Sequence, residues 1–255
     1  MNFTRRALYF FRELGLDPIL LMKSPRNLFR YLYSLGSLFL SQNRNGQKLR
    51  FSPALNDRFS TASSADGHYF WQDLIVAKWI YLRNPKKHFD VGSRVDGFIA
   101  HLLVFRKVIQ LDIRPATSQV PGLDILVGNA QEPLLDLEGK FDSVSSLHSI
   151  EHFGLGRYGD PLDVNGHEKG LWNISRTVSA GGELYVSFPI GKASIEFNSQ
   201  RVISPEWPIA ILKDFELVEF VLIPWRGLPV EGKNPADVDQ SVTGQAGIYR
   251  FKKAK

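Results

Sequence analysis

The chain has no cysteine. That excludes a disulfide framework, a thiolate zinc site and a cysteine nucleophile, and it fits a reducing compartment. Long apolar runs are also missing. The longest near the N-terminus, Leu28 to Leu40, is interrupted by Arg30 and falls short of the ~20 residues that a spanning helix needs. No small-residue cleavage site follows a clean apolar segment, so a secretory leader is not expected and the expected location is cytoplasmic. Internal repeats are absent. Acidic residues are scarce at the start: residues 1–50 hold nine basic side chains against only Glu13 and Asp17. The whole chain carries +5, so the basic excess belongs to this arm and not to the remainder.

A basic, aromatic-rich helical arm suits an anionic membrane surface, here the inner membrane face, or a phosphate-bearing substrate. The plainer reading is a solvated helix that packs its Leu and Phe on the main domain. Nucleic acid is not expected as a partner, because the remainder shows no basic stripe.

What is present is the makings of a sizeable core, with 44% hydrophobic and 22% charged residues. Apolar spacing predicts helices over 3–15, 18–23 and 25–41, the last two opened by Asp17-Pro18 and Ser24-Pro25. Residues 42–66 are rich in Asn, Ser, Asp and Gly and read as a linker. The expected organisation is therefore an arm with linker over 1–66 and one domain over 67–255.

From residue 68 onward the pattern alternates. Helix 68–82 is followed by strand 88–92 and helix 95–105, then strands 108–113, 124–128 and 141–147. A Gly-rich loop covers 153–166. Helix 167–179 stops at Ala180-Gly181-Gly182, and strand 183–189 follows. A helix near 205–213, strand 216–223, a Pro/Gly loop and a last strand 247–252 complete it. Strands alternating with helices imply a doubly wound, mostly parallel α/β sheet of seven strands, with an antiparallel last strand.

Three consecutive strand ends carry polar groups. After the first strand, Gly92 turns the chain into a helix, which puts backbone N–H groups and a positive helix end at one point. Asp112 ends the second strand, where a carboxylate can accept from two ribose hydroxyls or pair with Arg114. Asn129-Ala130 follows the third, where an amide can bond an adenine edge or merely turn the chain. The set suits a nucleoside ligand better than any one position does.

The same residues resemble the class I S-adenosylmethionine-dependent methyltransferases. Phe141-Asp142-Ser143-Val144-Ser145-Ser146-Leu147-His148-Ser149-Ile150-Glu151-His152 looks like that superfamily's fourth-strand motif, and Ala180-Gly181-Gly182-Glu183-Leu184-Tyr185-Val186 like its post-helix signature. The resemblance spans roughly 68–253. A closer resemblance is to a methyltransferase-like domain of unknown function, first named from nematode proteins and common in bacterial surface-polysaccharide clusters. It rests on Asp90-Val91-Gly92-Ser93-Arg94-Val95-Asp96-Gly97-Phe98, on Leu147 through Pro161, and on Phe197-Asn198 and Arg201-Val202.

The resemblance implies a Rossmann-like fold and S-adenosyl-L-methionine as cofactor, held by Asp90, Gly92, Ser93, Arg94, Gly97, Asp112, Asn129, Ala130 and Leu147. Two positions depart from the usual pattern. Arg94 stands where most of the superfamily has glycine, and either narrows the methionine pocket, binds its carboxylate, or signals another ligand. Asn129 replaces a more common acid. For catalysis the expected residues are His148, Glu151, His152 and Asp160 in the loop after the fourth strand. Arg157, Tyr158, His167, Asn198 and Arg201 are expected to meet the substrate. His148, Glu151 and His152 lack a third strong partner for a metal, so none is expected. The activity implied is O-methylation of a sugar or lipid-linked glycan. The alternatives are a non-catalytic glycan- or partner-binding protein on the same fold, or a sugar-modifying lyase or isomerase.

Overall fold

The computed structural model describes residues 3–40, 51–56, 67–117 and 119–255. The chain divides into two compact units, Met1–Ser64 and Ala65–Lys255.

The first unit is helical: α1 spans Phe3–Glu13 and α2 spans Pro18–Leu40. Asp17 starts α2 by accepting from the backbone N–H groups of Ile19 and Leu20 at 3.0 and 3.1 Å, as an N-cap does. The two helices expected here are one. Pro25 lies inside α2 and removes the donor that would reach the Leu21 carbonyl. The Ser24 hydroxyl donates to the Leu20 carbonyl at 2.7 Å, and the helix continues. The expected linker 42–66 lies mostly outside the described residues.

The second unit opens with α3 (His68–Arg83) and continues through β1 (His88–Val91), α4 (Ala100–Leu103), β2 (Val108–Asp112), β3 (Leu123–Val127) and β4 (Phe141–Leu147). Then come α5 (Gly166–Thr177), β5 (Val178–Ile190), β6 (Ser194–Glu196), β7 (Gln200–Val202), α6 (Trp207–Ile211), β8 (Phe215–Ile223), β9 (Val230–Glu231) and β10 (Gln245–Lys253). The main sheet has the order β3-β2-β1-β4-β5-β10-β8-β9, and β6-β7 is a separate hairpin. β1 to β5 run parallel, and β10 is antiparallel to both β5 and β8. The sheet is mostly parallel with an antiparallel last strand, as expected. It has eight strands because the two-residue β9 adds to the β8 edge. Buried apolar and aromatic residues of α3, α4 and their sheet face, among them Ile80, Leu102 and Tyr185, form one core, and α5 and α6 close the other.

Three boundaries differ from expectation. The helix expected over 95–105 is a π-type turn, Val95–Ile99, leading into the short α4. Gly97 lets this turn pack close to α3: a Cβ there would lie 2.7 Å from the Asp73 carboxylate. α5 ends at Thr177, whose hydroxyl donates back to the Ile174 carbonyl at 2.7 Å. Ala180-Gly181-Gly182 therefore lies within β5, beside a register shift between Phe141 and Ser143. The polar hairpin β6-β7 stands where a loop is expected.

The sheet centre is polar. Asp90 is fully buried and accepts from the Ser93 N–H at 3.0 Å, the Ser93 hydroxyl at 2.6 Å, the Ser145 hydroxyl at 2.5 Å and the Gln110 amide at 3.2 Å. Because Ser145 spends its proton on Asp90, it accepts from His88 Nε2 at 3.0 Å, and His88 Nδ1 accepts from Ser143 at 2.8 Å. Ser93 Oγ in turn accepts from the Leu147 N–H at 3.0 Å. One carboxylate thus ties β1, β2 and β4 to the turn after β1.

That turn leaves no room. Gly92 has φ +71°, and a Cβ on it would fall 2.2 Å from Ser149 Oγ. Gly92→Ala combines a left-handed alanine with an overpacked contact. It should destabilise the protein by about 1–4 kcal/mol in chemical denaturation, and Ser149→Ala in the same chain should restore part of the loss. Equal stability of Gly92→Ala and wild type would show that the turn opens freely.

Candidate functional site

The C-terminal ends of β1 to β4 surround a cavity of about 820 Å³, its open portion included. Its apolar walls include Val91, Leu111, Ile113, Ala130 and Phe153. Open α/β sheets bind ligands at such strand ends.

Of the residues expected to hold a nucleoside cofactor, Gly92, Arg94, Asp112, Asn129 and Ala130 line this cavity. Asp90, Ser93, Gly97 and Leu147 do not: Asp90, Ser93 and Leu147 form a buried layer behind it, and Gly97 is half-buried against Asp73 of α3. Arg94 has φ −69° and ψ 129°, an extended conformation open to any residue, so the backbone has no need of glycine there. Its guanidinium turns outward to Asp96, with contacts of 3.1 and 2.9 Å, and sits over the Tyr69 ring at 5.8 Å. Asp112 receives the Arg114 N–H and Nε on one oxygen and Nη2 on the other, at 2.8, 2.9 and 2.8 Å. Burial pushes its carboxyl up, but these contacts outweigh that and hold it below the usual range. Asn129 Oδ1 accepts from the Gln131 N–H at 3.0 Å, which fixes the turn.

His148 follows β4 in the left-handed region, at φ 49°, and its N–H donates to the Ser187 carbonyl at 2.8 Å. Nδ1 lies 2.7 Å from Glu151 Oε1. Glu151 is fully buried. Burial raises its carboxyl, yet the His148 and His152 rings overcome this and keep it low. An ionised Glu151 accepts, so Nδ1 carries a proton. Nε2 is buried and makes no hydrogen bond with protein. His68 stacks on the His148 ring at 4.2 Å and Tyr69 lies at 4.6 Å. Burial pushes His68 down to about 4, so a neutral ring covers His148. His152 Nδ1 contacts the Ser199 carbonyl at 2.6 Å, and burial lowers its basicity.

Asp160 also lines the cavity, but its carboxylate is used within the loop. It accepts from the Gly154 N–H at 2.6 Å, the Tyr158 N–H at 3.3 Å and the Gln131 amide at 3.4 Å. Arg157 and Tyr158 line the cavity as well, with Arg157 donating to the Ser199 carbonyl at 2.9 Å. The other three expected substrate residues stand apart from the cavity lining. Arg201 is buried and holds the carbonyls of Phe153, Asp163 and Val164. His167 stacks on Trp207 at 5.0 Å, and Asn198 is exposed beside β7. Tyr69, Arg114, Gln131, Ser149 and Phe153 line the cavity without having been expected there. Arg114 was visible only as a partner for Asp112, and Tyr69 lies on a helix with no motif of its own.

The family described as a Caenorhabditis protein of unknown function, DUF268, matches residues 124–221, less than half of the chain. No curated protein matches. Among solved structures, the N-methyltransferase NodS from Bradyrhizobium japonicum WM9, in complex with S-adenosyl-L-homocysteine, is similar with a TM-score of 0.50 and 13% identity, over 74% of this chain and 90% of that one. A possible histamine N-methyltransferase from Thermotoga maritima gives 0.50 and 16%, over 72% and 91%. The 1,6-didemethyltoxoflavin-N1-methyltransferase of Burkholderia thailandensis, with its substrate and S-adenosylhomocysteine bound, gives 0.51 and 14%, over 72% and 79%. Likeness at these identities speaks for architecture: the chain has the class I methyltransferase fold, with the DUF268 match reaching from β3 into β8.

Proposed function

We propose that this protein is an S-adenosylmethionine-dependent O-methyltransferase acting on a sugar or glycan intermediate. The observation that carries this is one cavity with two unlike ends. One end has Asp112 and Asn129 after β2 and β3; the other has the Gly92 turn against Ser149, beside a buried His148–Glu151 pair whose Nε2 is bare. The residues fit the cofactor. Asp112 suits a ribose diol, the apolar walls Leu111, Ile113 and Ala130 suit a purine, and Arg94 on the rim suits a carboxylate. When bound, S-adenosylmethionine supplies a methyl group on a sulfonium, open to in-line attack by an acceptor oxygen.

The chain's own part is to prepare that oxygen. His148 Nε2 is oriented to take the acceptor proton, and Glu151 fixes the tautomer and steadies the charged ring. Asp160 positions the loop that carries Arg157 and Tyr158, and Tyr158 offers an aromatic face suited to a sugar. Buried apolar walls and the stacked His68 and Tyr69 rings exclude water from the base.

Isothermal titration with S-adenosylmethionine and S-adenosylhomocysteine tests the cofactor directly. Both should bind, and Asp112→Ala should weaken binding more than tenfold, about 1.4 kcal/mol, with the fold intact. Absence of binding by either at millimolar concentration would sink the reading. His148→Gln should keep cofactor affinity within about threefold while slowing S-adenosylhomocysteine release, with hexose, uronic acid and hexose phosphate acceptors, by about 10²–10⁴. Unaltered turnover in that variant would remove His148 as the base.

The basic first unit supports a further part of this proposal, that the enzyme works at an anionic membrane surface. No described helix is long and apolar enough to cross a membrane. Yet Phe10, Phe11, Leu21, Met22, Phe29 and Leu40 are exposed on α1 and α2, among Arg12, Lys23, Arg26 and Arg30. Exposed apolar groups with interspersed cations are what an interfacial helix presents. The full chain should float with vesicles containing phosphatidylserine, less so in high salt, and a chain lacking residues 1–50 should not. Equal partitioning of both would reject it.

A further inference from the structure

Arg114 sits between the two ends of the cavity. Its guanidinium fork covers both oxygens of Asp112, and its flat face lies 4.7 Å from the centre of the Tyr158 ring. Tyr158 is held from other directions by Arg157, at 5.2 Å, and by the edge of the His152 ring, at 5.6 Å. Arg157 and His152 both contact the Ser199 carbonyl. His152 Nε2 is 3.8 Å from Glu151 Oε1. Contacts therefore run without a break from Asp112 at the end of β2 to the partner of His148.

From this geometry we infer that Arg114 is a latch: a vicinal diol that takes Asp112 displaces it, and the displacement releases Tyr158 and its loop. The inference rests on the reading of Asp112 as the ribose acceptor. A carboxylate presents one in-plane edge for two donors side by side. A bidentate guanidinium and a diol need that same edge, so they compete for it. The pair is also easy to displace. Arg114 is two residues from Asp112 and its side chain is 55% exposed, and exposed ion pairs hold weakly. Once off Asp112, the guanidinium is no longer fixed in the plane that stacks on Tyr158, and that contact loosens with it.

Hydrogen exchange on the full chain without ligand tests the latch. Arg114→Ala should speed exchange of the Gly154 to Asp160 amides at least threefold, leaving β4 and β5 unchanged. Tyr158→Leu should do the same from the other side of the stack, and serves if the first variant fails to fold. Unchanged exchange in the loop would overturn the latch. Titration of S-adenosylhomocysteine tests the competition. Arg114→Ala should bind it as tightly as wild type or up to fivefold more tightly. A loss of more than threefold would overturn the competition, since Arg114 would then contact the nucleoside. If wild type itself binds no S-adenosylhomocysteine, the methyltransferase reading fails, and the exchange comparison still decides whether Arg114 holds the loop.

Discussion

Everything at the cavity hangs on the buried carboxylate of Asp90. It accepts four hydrogen bonds from β2, β4 and the turn after β1, and burial still pushes its carboxyl up to about 6. A carboxylate without those donors would be too costly to keep inside the sheet. The donors in turn are locked by it. Ser93 cannot leave without stranding Asp90 and the Leu147 N–H, and Ser145 cannot without stranding His88. His88 stays neutral because burial lowers it to about 3, so the network holds one charge and not two. The backbone ladder spaces β1, β2 and β4, and this polar layer ties the turn that carries Gly92 to them.

The cavity built on that layer uses charge in two ways. At its rim, Arg94 with Asp96 and Arg114 with Asp112 are short-range pairs with exposed guanidinium groups. Such pairs contribute little to stability and can exchange partners. At its base, His148 and Glu151 are 2% and 0% exposed. A buried pair like this keeps its geometry, because removing either member strands the other without solvent. Adjustable groups therefore stand at the cavity rim, and fixed groups stand at its base.

Much of this was legible in the residues. Glycine at the end of an apolar run, an acid at the end of the next strand and a polar residue after the third located the cavity, because strand ends in a parallel sheet come together. The sequence could not separate lining residues from the layer behind them. Asp90 and Ser93 stand beside Gly92 in the chain, yet the left-handed step at Gly92 lets Ser93 fold back onto Asp90, and both are buried behind the cavity. Arg201 reads as a ligand-binding arginine but is used on loop carbonyls, and only the folded loop shows those. Tyr69 and His68 reach the site from α3, some eighty residues before His148, with no spacing rule to connect them. At Arg94 the backbone is extended and the guanidinium pairs with Asp96 at the cavity rim, which the residue pattern alone does not show.

His148 carries the remaining argument. It is a non-glycine residue at positive φ, which costs of order 1–3 kcal/mol, and glycine there would avoid the cost. The left-handed step is nevertheless what the site requires. A strand that simply continued would send the next side chain to the face opposite Leu147, into the packing of the sheet. The reversal at 148 keeps the chain turning, so that Ile150 to His152 form a tight helical turn and Glu151 comes back beneath the ring. The strain, the His148 N–H bond to Ser187 and the stacked His68 ring therefore belong to one device, which holds an imidazole still with one nitrogen committed and the other bare.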